Sequence, residues 1–330
     1  MTTSQHMRAI VLDRYGHPEQ VMRVAELPRP VPGPGEVAVR VAAVSLNSWD
    51  VDLVTGAALI RIAAPFRPRH RVTGSDVSGT VIAVGPEVTR HRVGDGVFGE
   101  LSASGWGGFA EVVTAREDAL VPKPADLDDL TAAALPQAGS MAFQALGGAD
   151  ATVAGGTLEG SRVLIVGAGG GVGTFAIQLA KLGGAHVTAI ERAPSKLDAL
   201  AKLGADVVGD EIAEPETSAQ RFDVILDVVG ALPPTRAREL LAPGGVATYI
   251  GGSPRRIVQV IASGAKRGDS GGRVRLLAAV PNRDLPALAA LATSGALSAI
   301  VDGPHALEET PHQVERLRAG EVLGKVVIVP

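Results

Sequence analysis

The chain is 330 residues long and 46% hydrophobic, with a formal net charge of −4 and a mean hydropathy of +0.22, enough for two well-cored domains. The acidic balance and the lack of a dense basic run argue against a nucleic-acid partner. There is no cysteine, which excludes disulfides and thiolate–metal sites and fits a reducing, cytoplasmic setting.

The first six residues are polar and run straight into an apolar stretch, so no signal peptide is expected. The first third then reads as β-rich. Residues 7–12, 37–44 and 79–84 are β-branched or alternately apolar, as half-buried strands are. Turn signals separate them at 28–30 (PRP), 32–35 (PGPG) and 93–96 (VGDG). A further strand is expected over 109–113, after the glycines of 105–108 (GWGG). Many short strands at this spacing suggest a compact barrel or distorted sheet rather than βαβ units.

From about Leu130 the pattern changes. Residues 131–146 read as one helix. Strands then fall at 163–166, 186–190, 206–208, 222–228 and 246–250, with helices at 172–182, 195–203 and 235–241 between most of them. That alternation is the signature of a doubly wound α/β fold. The link from 208 to 221 is short and contains Pro215, so a truncated crossover helix is expected there. Residues 273–280 supply a last strand, 285–294 and 311–318 are helical, and 325–329 form a closing strand that rejoins the amino-terminal β domain. The apolar stretch 285–292 is too short to cross a membrane, and no membrane partner is expected.

The most informative segment is 163–173 (VLIVGAGGGVG), followed by the helical 174–182 (TFAIQLAKL). A β-rich run ends in glycines and a helix begins. Glycines let main chain approach a pyrophosphate, and the helix offers unpaired N–H groups and the positive end of its dipole. Ala168, Gly170 and Gly173 satisfy the dinucleotide spacing with alanine in first place. The next strand ends in Glu191, 21 residues after Gly170, close to the ~20 at which an acid reaches the adenosine ribose. A flexible turn without ligand is the bland alternative, but such a turn rarely needs so many glycines.

With these elements placed, the chain resembles the medium-chain dehydrogenase/reductase superfamily, in its zinc-independent quinone oxidoreductase-like branch. The resemblance is carried by 32–37 (PGPGEV), 45–50 (SLNSWD), 74–79 (GSDVSG), 93–98 (VGDGVF), the glycine segment and 324–326 (GKV). It implies a Rossmann dinucleotide-binding domain over 126–280. It also implies a β-rich, GroES-like substrate domain made of 1–125 and 281–330, use of NADPH or NADH, and commonly a homodimer. Zinc-dependent relatives place a cysteine where this chain has Asn47, and a His-Glu pair where it has Ser75 and Asp76. Only one good zinc ligand remains, so no metal is expected. Hydride addition to a quinone, enone or related conjugated carbonyl is then easier to explain than zinc-assisted alcohol chemistry.

In this resemblance Asn47 is the candidate catalytic residue, donating to a developing enolate oxygen; a turn-stabilising Asn is the alternative. Asp50 reads as a structural anchor. A tyrosine often found after this motif is replaced by Ala58, and 67–71 (RPRHR) reads as an exposed basic loop with His70 at the surface. The cofactor-binding set is Ala168, Gly169, Gly170, Gly171, Val172, Gly173, Glu191, Arg192, Lys196, Val229, Gly251 and Lys325. Glu191 favours NADH, whereas Arg192 and Lys196 could hold the extra phosphate of NADPH or form a solvated helix start. Gln137 and Ser140 are weaker candidates for the cofactor or substrate, and Lys325 is read either as a contact to cofactor or substrate or as a surface pair. A non-redox isomerase or cyclase, or a nucleotide-binding structural protein, stays open on the same fold.

Overall fold

A computed structural model describes residues 5–148, 156–213, 221–264 and 272–330. The chain forms two compact units, one of Met1–Gln137 with Pro281–Pro330, the other of Ala138–Val280.

The first unit opens with β1 (His6–Leu12), α1 (Pro18–Val21) and β2 (Met22–Pro28), the two strands pairing antiparallel. Then come β3 (Glu36–Ser45), α2 (Ser48–Thr55), α3 (Ala58–Ala63), β4 (Asp76–Val84), β5 (Gly96–Glu100), β6 (Val112–Arg116) and β7 (Val121–Pro122). The strand expected over 109–113 is displaced to β6. Its first residues serve β1 instead: Phe109 O accepts from Ile10 N at 2.8 Å, and Ala110 bridges Ala9.

The single helix expected over 131–146 is two, α4 (Asp129–Ala134) and α5 (Pro136–Ala145). Pro136 lacks the N–H that would carry the first helix onward. Asp128 caps α4 by accepting from Thr131 N at 2.9 Å. The expected domain boundary at 126 also moves, because α4 belongs to the β-rich unit. Ser45 Oγ donates to Ala133 O at 2.7 Å, and Ser78 Oγ to Asp129 Oδ1 at 2.6 Å.

The second unit runs through β8 (Arg162–Val166), α6 (Gly171–Leu182), β9 (His186–Ile190), α7 (Pro194–Lys202), β10 (Val207–Gly209), β11 (Phe222–Asp227), α8 (Pro234–Leu240), β12 (Leu241–Tyr249), α9 (Pro254–Gly264) and β13 (Arg273–Leu276). All six strands are parallel, in the order β10-β9-β8-β11-β12-β13. This is the doubly wound order, with the connection reversing direction between β8 and β11. Four residues of β8 (Val163, Leu164, Ile165, Val166) are buried, as a strand covered on both faces requires. The expected truncated crossover around Pro215 lies outside the described residues.

The chain then returns to the first unit with α10 (Leu285–Thr293), β14 (Val301–Ala306), α11 (Thr310–Arg318) and β15 (Lys325–Val329). β15 pairs antiparallel with β3 and parallel with β14, completing a seven-stranded sheet. Its core gathers Val39, Val44, Val77, Val97, Phe109 and Ile328. The fold is thus mixed α/β, a Rossmann-type parallel sheet and a GroES-like β-rich unit. Among the described residues no helix is long and apolar enough to cross a membrane.

Candidate active site

Two constellations stand out, one in each unit. In the second unit, Val166 ends β8 and Gly167 turns the chain with φ 79°, a left-handed conformation that suits glycine. Gly170 caps α6. A Cβ on Gly173 would lie 2.4 Å from Ala168 O, so only glycine lets the helix start fold back on the loop. A Cβ on Gly170 would meet nothing nearer than 4.0 Å, the Gly167 carbonyl oxygen. The loop therefore has open space beside Gly170, the N-cap of α6, and the N–H groups of the first helical turn lack intrahelical partners.

Glu191, at the end of β9, accepts from Gly169 N at 2.9 Å and from Ala193 N at 3.2 Å. A Cβ on Gly169 would clash with that carboxylate at 2.6 Å and with the Lys196 stem at 2.7 Å. Loop, acid and lysine thus meet. Lys196 is buried, which corrects its reading as part of a solvated helix start; Arg192 is exposed. Val229 is exposed, yet its Cγ1 sits where a Cβ on Gly167 would come within 2.7 Å. Gly251 is as tightly enclosed: a Cβ there would lie 2.9 Å from Val228 O. Asp227 holds the turn after β11, accepting from Leu232 N at 2.8 Å, Ala231 N at 3.1 Å and Val229 N at 3.3 Å.

The second constellation lies in the β-rich unit and is made of buried charges. Lys325 Nζ donates to Leu46 O at 2.7 Å and to Asn47 Oδ1 at 2.5 Å, and faces Asp76 Oδ2 at 3.7 Å. Lys325 is 4% exposed. This corrects the surface-pair reading, and the first neighbour of its ammonium is Asn47. The Asn47 amide is oriented by that bond, since its oxygen must meet the ammonium; Nδ2 donates to Ser75 Oγ at 3.3 Å. Ser75 Oγ in turn donates to Asp76 Oδ1 at 3.0 Å. Asn47 is also the N-cap of α2 and so keeps its turn-stabilising role, and Asp50 completes that turn by accepting from Asn47 N and Gly74 N, both at 2.9 Å.

Burial dominates the protonation of this cluster. It pushes the Asp50 carboxyl up to about 7, against the two backbone N–H groups that favour the ionised form. It raises Asp76 and lowers Lys325, while their mutual attraction opposes both shifts. Glu100 is raised by burial and by the Asp76 charge, and its Oε1 is buried without a hydrogen-bond partner. Asn282, with a left-handed φ of 62°, clamps the end of β5 by accepting from Glu100 N at 2.7 Å. Gln137 N donates to Asp76 Oδ2 at 3.0 Å, so Gln137 joins this cluster. Ser140 Oγ is buried without a partner. Sequence reasoning missed Glu100 and Asn282; the only signal for Glu100 is an acid closing the apolar strand 96–100.

The donors at Asn47, Ser75 and Asp76 do not suit a zinc ion. They offer an amide, a hydroxyl and one carboxylate, and that carboxylate already faces an ammonium. Among the described residues no group of three or more His, Cys, Asp or Glu is placed to hold a metal.

Comparison with known proteins agrees with this architecture. The alcohol dehydrogenase GroES-like domain matches residues 33–125, and the zinc-binding dehydrogenase domain matches 171–266. The chain is 32% identical to a chloroplastic quinone-oxidoreductase QR1 of Triphysaria versicolor, over 98% of each chain. It is 35% identical to the mitochondrial NAD(P)H oxidoreductase RTN4IP1 of Mus musculus, over 74% of this chain and 65% of that one. The structure of the quinone oxidoreductase from Coxiella burnetii superposes with a TM-score of 0.85 at 28% identity, covering 98% of this chain and 99% of the other. The chain belongs to the medium-chain dehydrogenase/reductase superfamily, in its quinone oxidoreductase-like branch.

Proposed function

We propose that the chain is a metal-independent oxidoreductase that uses NADH in preference to NADPH and reduces a quinone, enone or related conjugated carbonyl. The observation that carries this reading is the main-chain cradle at 167–173, where Gly173 leaves no room for a Cβ and Glu191 is bonded to the loop. The names of the quinone and NAD(P)H oxidoreductase relatives support it.

The nicotinamide, when bound, supplies the hydride. The chain's residues do the rest. N–H groups of Gly171 and Val172 offset the charge of a diphosphate at the start of α6. Glu191 accepts the ribose hydroxyls and repels a phosphate in their place. Lys196, Arg192, Val229 and Gly251 complete the proposed cofactor walls, whereas Lys325 is reassigned from the cofactor to Asn47. Asn47, with its oxygen held by Lys325, presents Nδ2 as the donor to a carbonyl oxygen on which negative charge gathers. Solvent supplies the proton that completes the reduction.

Loss of NADH absorbance with a panel of quinones and enones tests the reading; no turnover of any acceptor overturns it. Glu191→Ser should raise the NADPH-to-NADH preference ratio by about tenfold, the effect of roughly 1.4 kcal/mol. An unchanged ratio would remove Glu191 from cofactor selection.

A further inference from the structure

Among the described residues, the exposed large hydrophobics other than valine fall almost entirely in one stretch of the β-rich unit. Trp49 is 46% exposed, Leu59 55%, Ile62 79% and Phe66 90%; the exception is Ile261. Leu59 and Ile62 stand three apart on one face of α3, a helix with no buried residue, and Phe66 follows just beyond its end. What holds the segment is Tyr15. Its hydroxyl donates between Ala64 O, at 2.8 Å, and Arg67 O, at 3.1 Å. The Arg61 guanidinium stacks on its ring, 4.6 Å from the centroid, while Arg61 Nε donates to Gly56 O at 2.9 Å. The segment is thus fixed from its inner side by polar bonds, and its apolar side chains are left in water at a cost.

Its charge is as one-sided as its hydropathy. The whole chain is acidic, yet residues 53–75 hold four arginines, at 61, 67, 69 and 71, and no acid. Arg67 and Arg69 are exposed and make no ion pair among the described residues, and the same is true of Arg14, next to Tyr15. Asp52 precedes the stretch on α2. Asp13, the carboxylate beside it, is already taken up between Arg71 at 2.8 Å and Arg23 at 2.9 Å. His70 corrects the expectation of a surface histidine. It is half-buried, 6.2 Å from Trp106 between ring centroids, and Trp106 packs in turn on Trp49 at 6.4 Å. Burial and the neighbouring Arg69 keep its ring below the usual histidine range. The positive charge here is therefore guanidinium, which persists at any physiological pH.

Apolar tips among unpaired cations suit an anionic bilayer, because the tips leave water for the acyl boundary while the guanidinium groups meet phosphate. A second copy of the chain fits less well, since a symmetric contact would set arginine against arginine. We propose that the face of Leu59, Ile62 and Phe66, flanked by Arg14, Arg67 and Arg69, docks the protein on the surface of an anionic lipid membrane. Such docking lies on the bilayer and needs no spanning helix. It revises the expectation of no membrane partner, which rested on the length of the apolar stretch 285–292. It goes beyond the reductase reading and does not depend on it.

The test sediments the full-length protein with vesicles of phosphatidylcholine alone and with vesicles of equal parts phosphatidylcholine and phosphatidylglycerol. Binding to the mixed vesicles only, weakened by added salt, is the expected result. Arg67→Gln combined with Arg69→Gln should weaken that partition about thirtyfold, the product of roughly fivefold for each charge lost near the surface. Phe66→Ser should weaken it by about tenfold or more, as loss of one inserted phenyl ring implies. These side chains are exposed, so the variants should keep the parent's melting temperature. Equal binding to both vesicles, binding to neither, or binding that the variants leave unchanged overturns the proposal. So does a fall in the sedimenting mass of the lipid-free protein on Phe66→Ser, which would mean that a second copy covers this face. Turnover of no acceptor would sink the reductase reading and leave the vesicle result to decide the docking.

Discussion

The two constellations are made of opposite materials. In the parallel-sheet unit the cradle is main chain: N–H groups at the start of α6, glycines that allow close approach, and one carboxylate bonded to the loop. In the β-rich unit the site is side chain: one ammonium and three carboxyls, all buried. A backbone cradle tolerates most changes in its side chains but not an added Cβ. A buried charge cluster tolerates a change of size but not the loss of its one cation, whose attraction opposes the burial and mutual repulsion of the carboxyls.

Removing Lys325 should show the contrast most strongly. Lys325→Met leaves Asp76 buried without its cation and should cost about 3–5 kcal/mol, read from the urea unfolding midpoint of the β-rich unit. Adding Asp76→Asn should recover part of that loss, because the orphaned charge is then gone. If the single variant is as stable as the parent, the cluster is not held by charge and the contrast fails.

Gly173→Ala is the corresponding break in the cradle. Its methyl would meet Ala168 O at 2.4 Å, and overpacking of this kind costs about 1–3 kcal/mol. The same variant should weaken NADH binding measured by calorimetry. By contrast, a Cβ on Gly169 would meet the flexible Glu191 and Lys196 side chains, which can move aside. Equal losses at both glycines would mean that the loop is not set by main-chain contact.

The finest test concerns protons. Asp50 has a folded-state carboxyl pushed up to about 7 from 3.8, so its protonated form favours the folded state. Its contribution is complete below the ordinary carboxylate value and is lost as pH rises through about 7. Between those limits stability should fall by about 1.4 kcal/mol per pH unit from this group alone. Asp50→Asn should flatten the slope of unfolding free energy measured from pH 5 to 8. A variant with the parent's slope would show that Asp50 stays ionised, held by its two backbone donors.

How much could be read beforehand follows the same division. The parallel sheet, its strand–glycine–helix turn and Glu191 are contiguous or nearly so, and their periodicity and spacing are local properties of the chain. Local signals fail where a residue's partner is distant. The strand expected at 109–113 starts later because Phe109 and Ala110 bond to β1, about a hundred residues earlier. Lys325, at the head of the apolar run KVVIV, looks like an edge-strand lysine until β15 is laid beside β3, which puts it against Leu46 and Asn47.

The order of residues alone thus determined a doubly wound sheet with a glycine turn and an acid 21 residues after Gly170, because each of those is a statement about neighbours in the chain. Tertiary structure decided which charges share one low-dielectric space. It brought Asp50, Asp76, Glu100 and Lys325 together from four segments, and Trp49 beside Trp106 and His70 from three. Burial and convergence then set protonation and shape, and neither is a property of any stretch of sequence by itself.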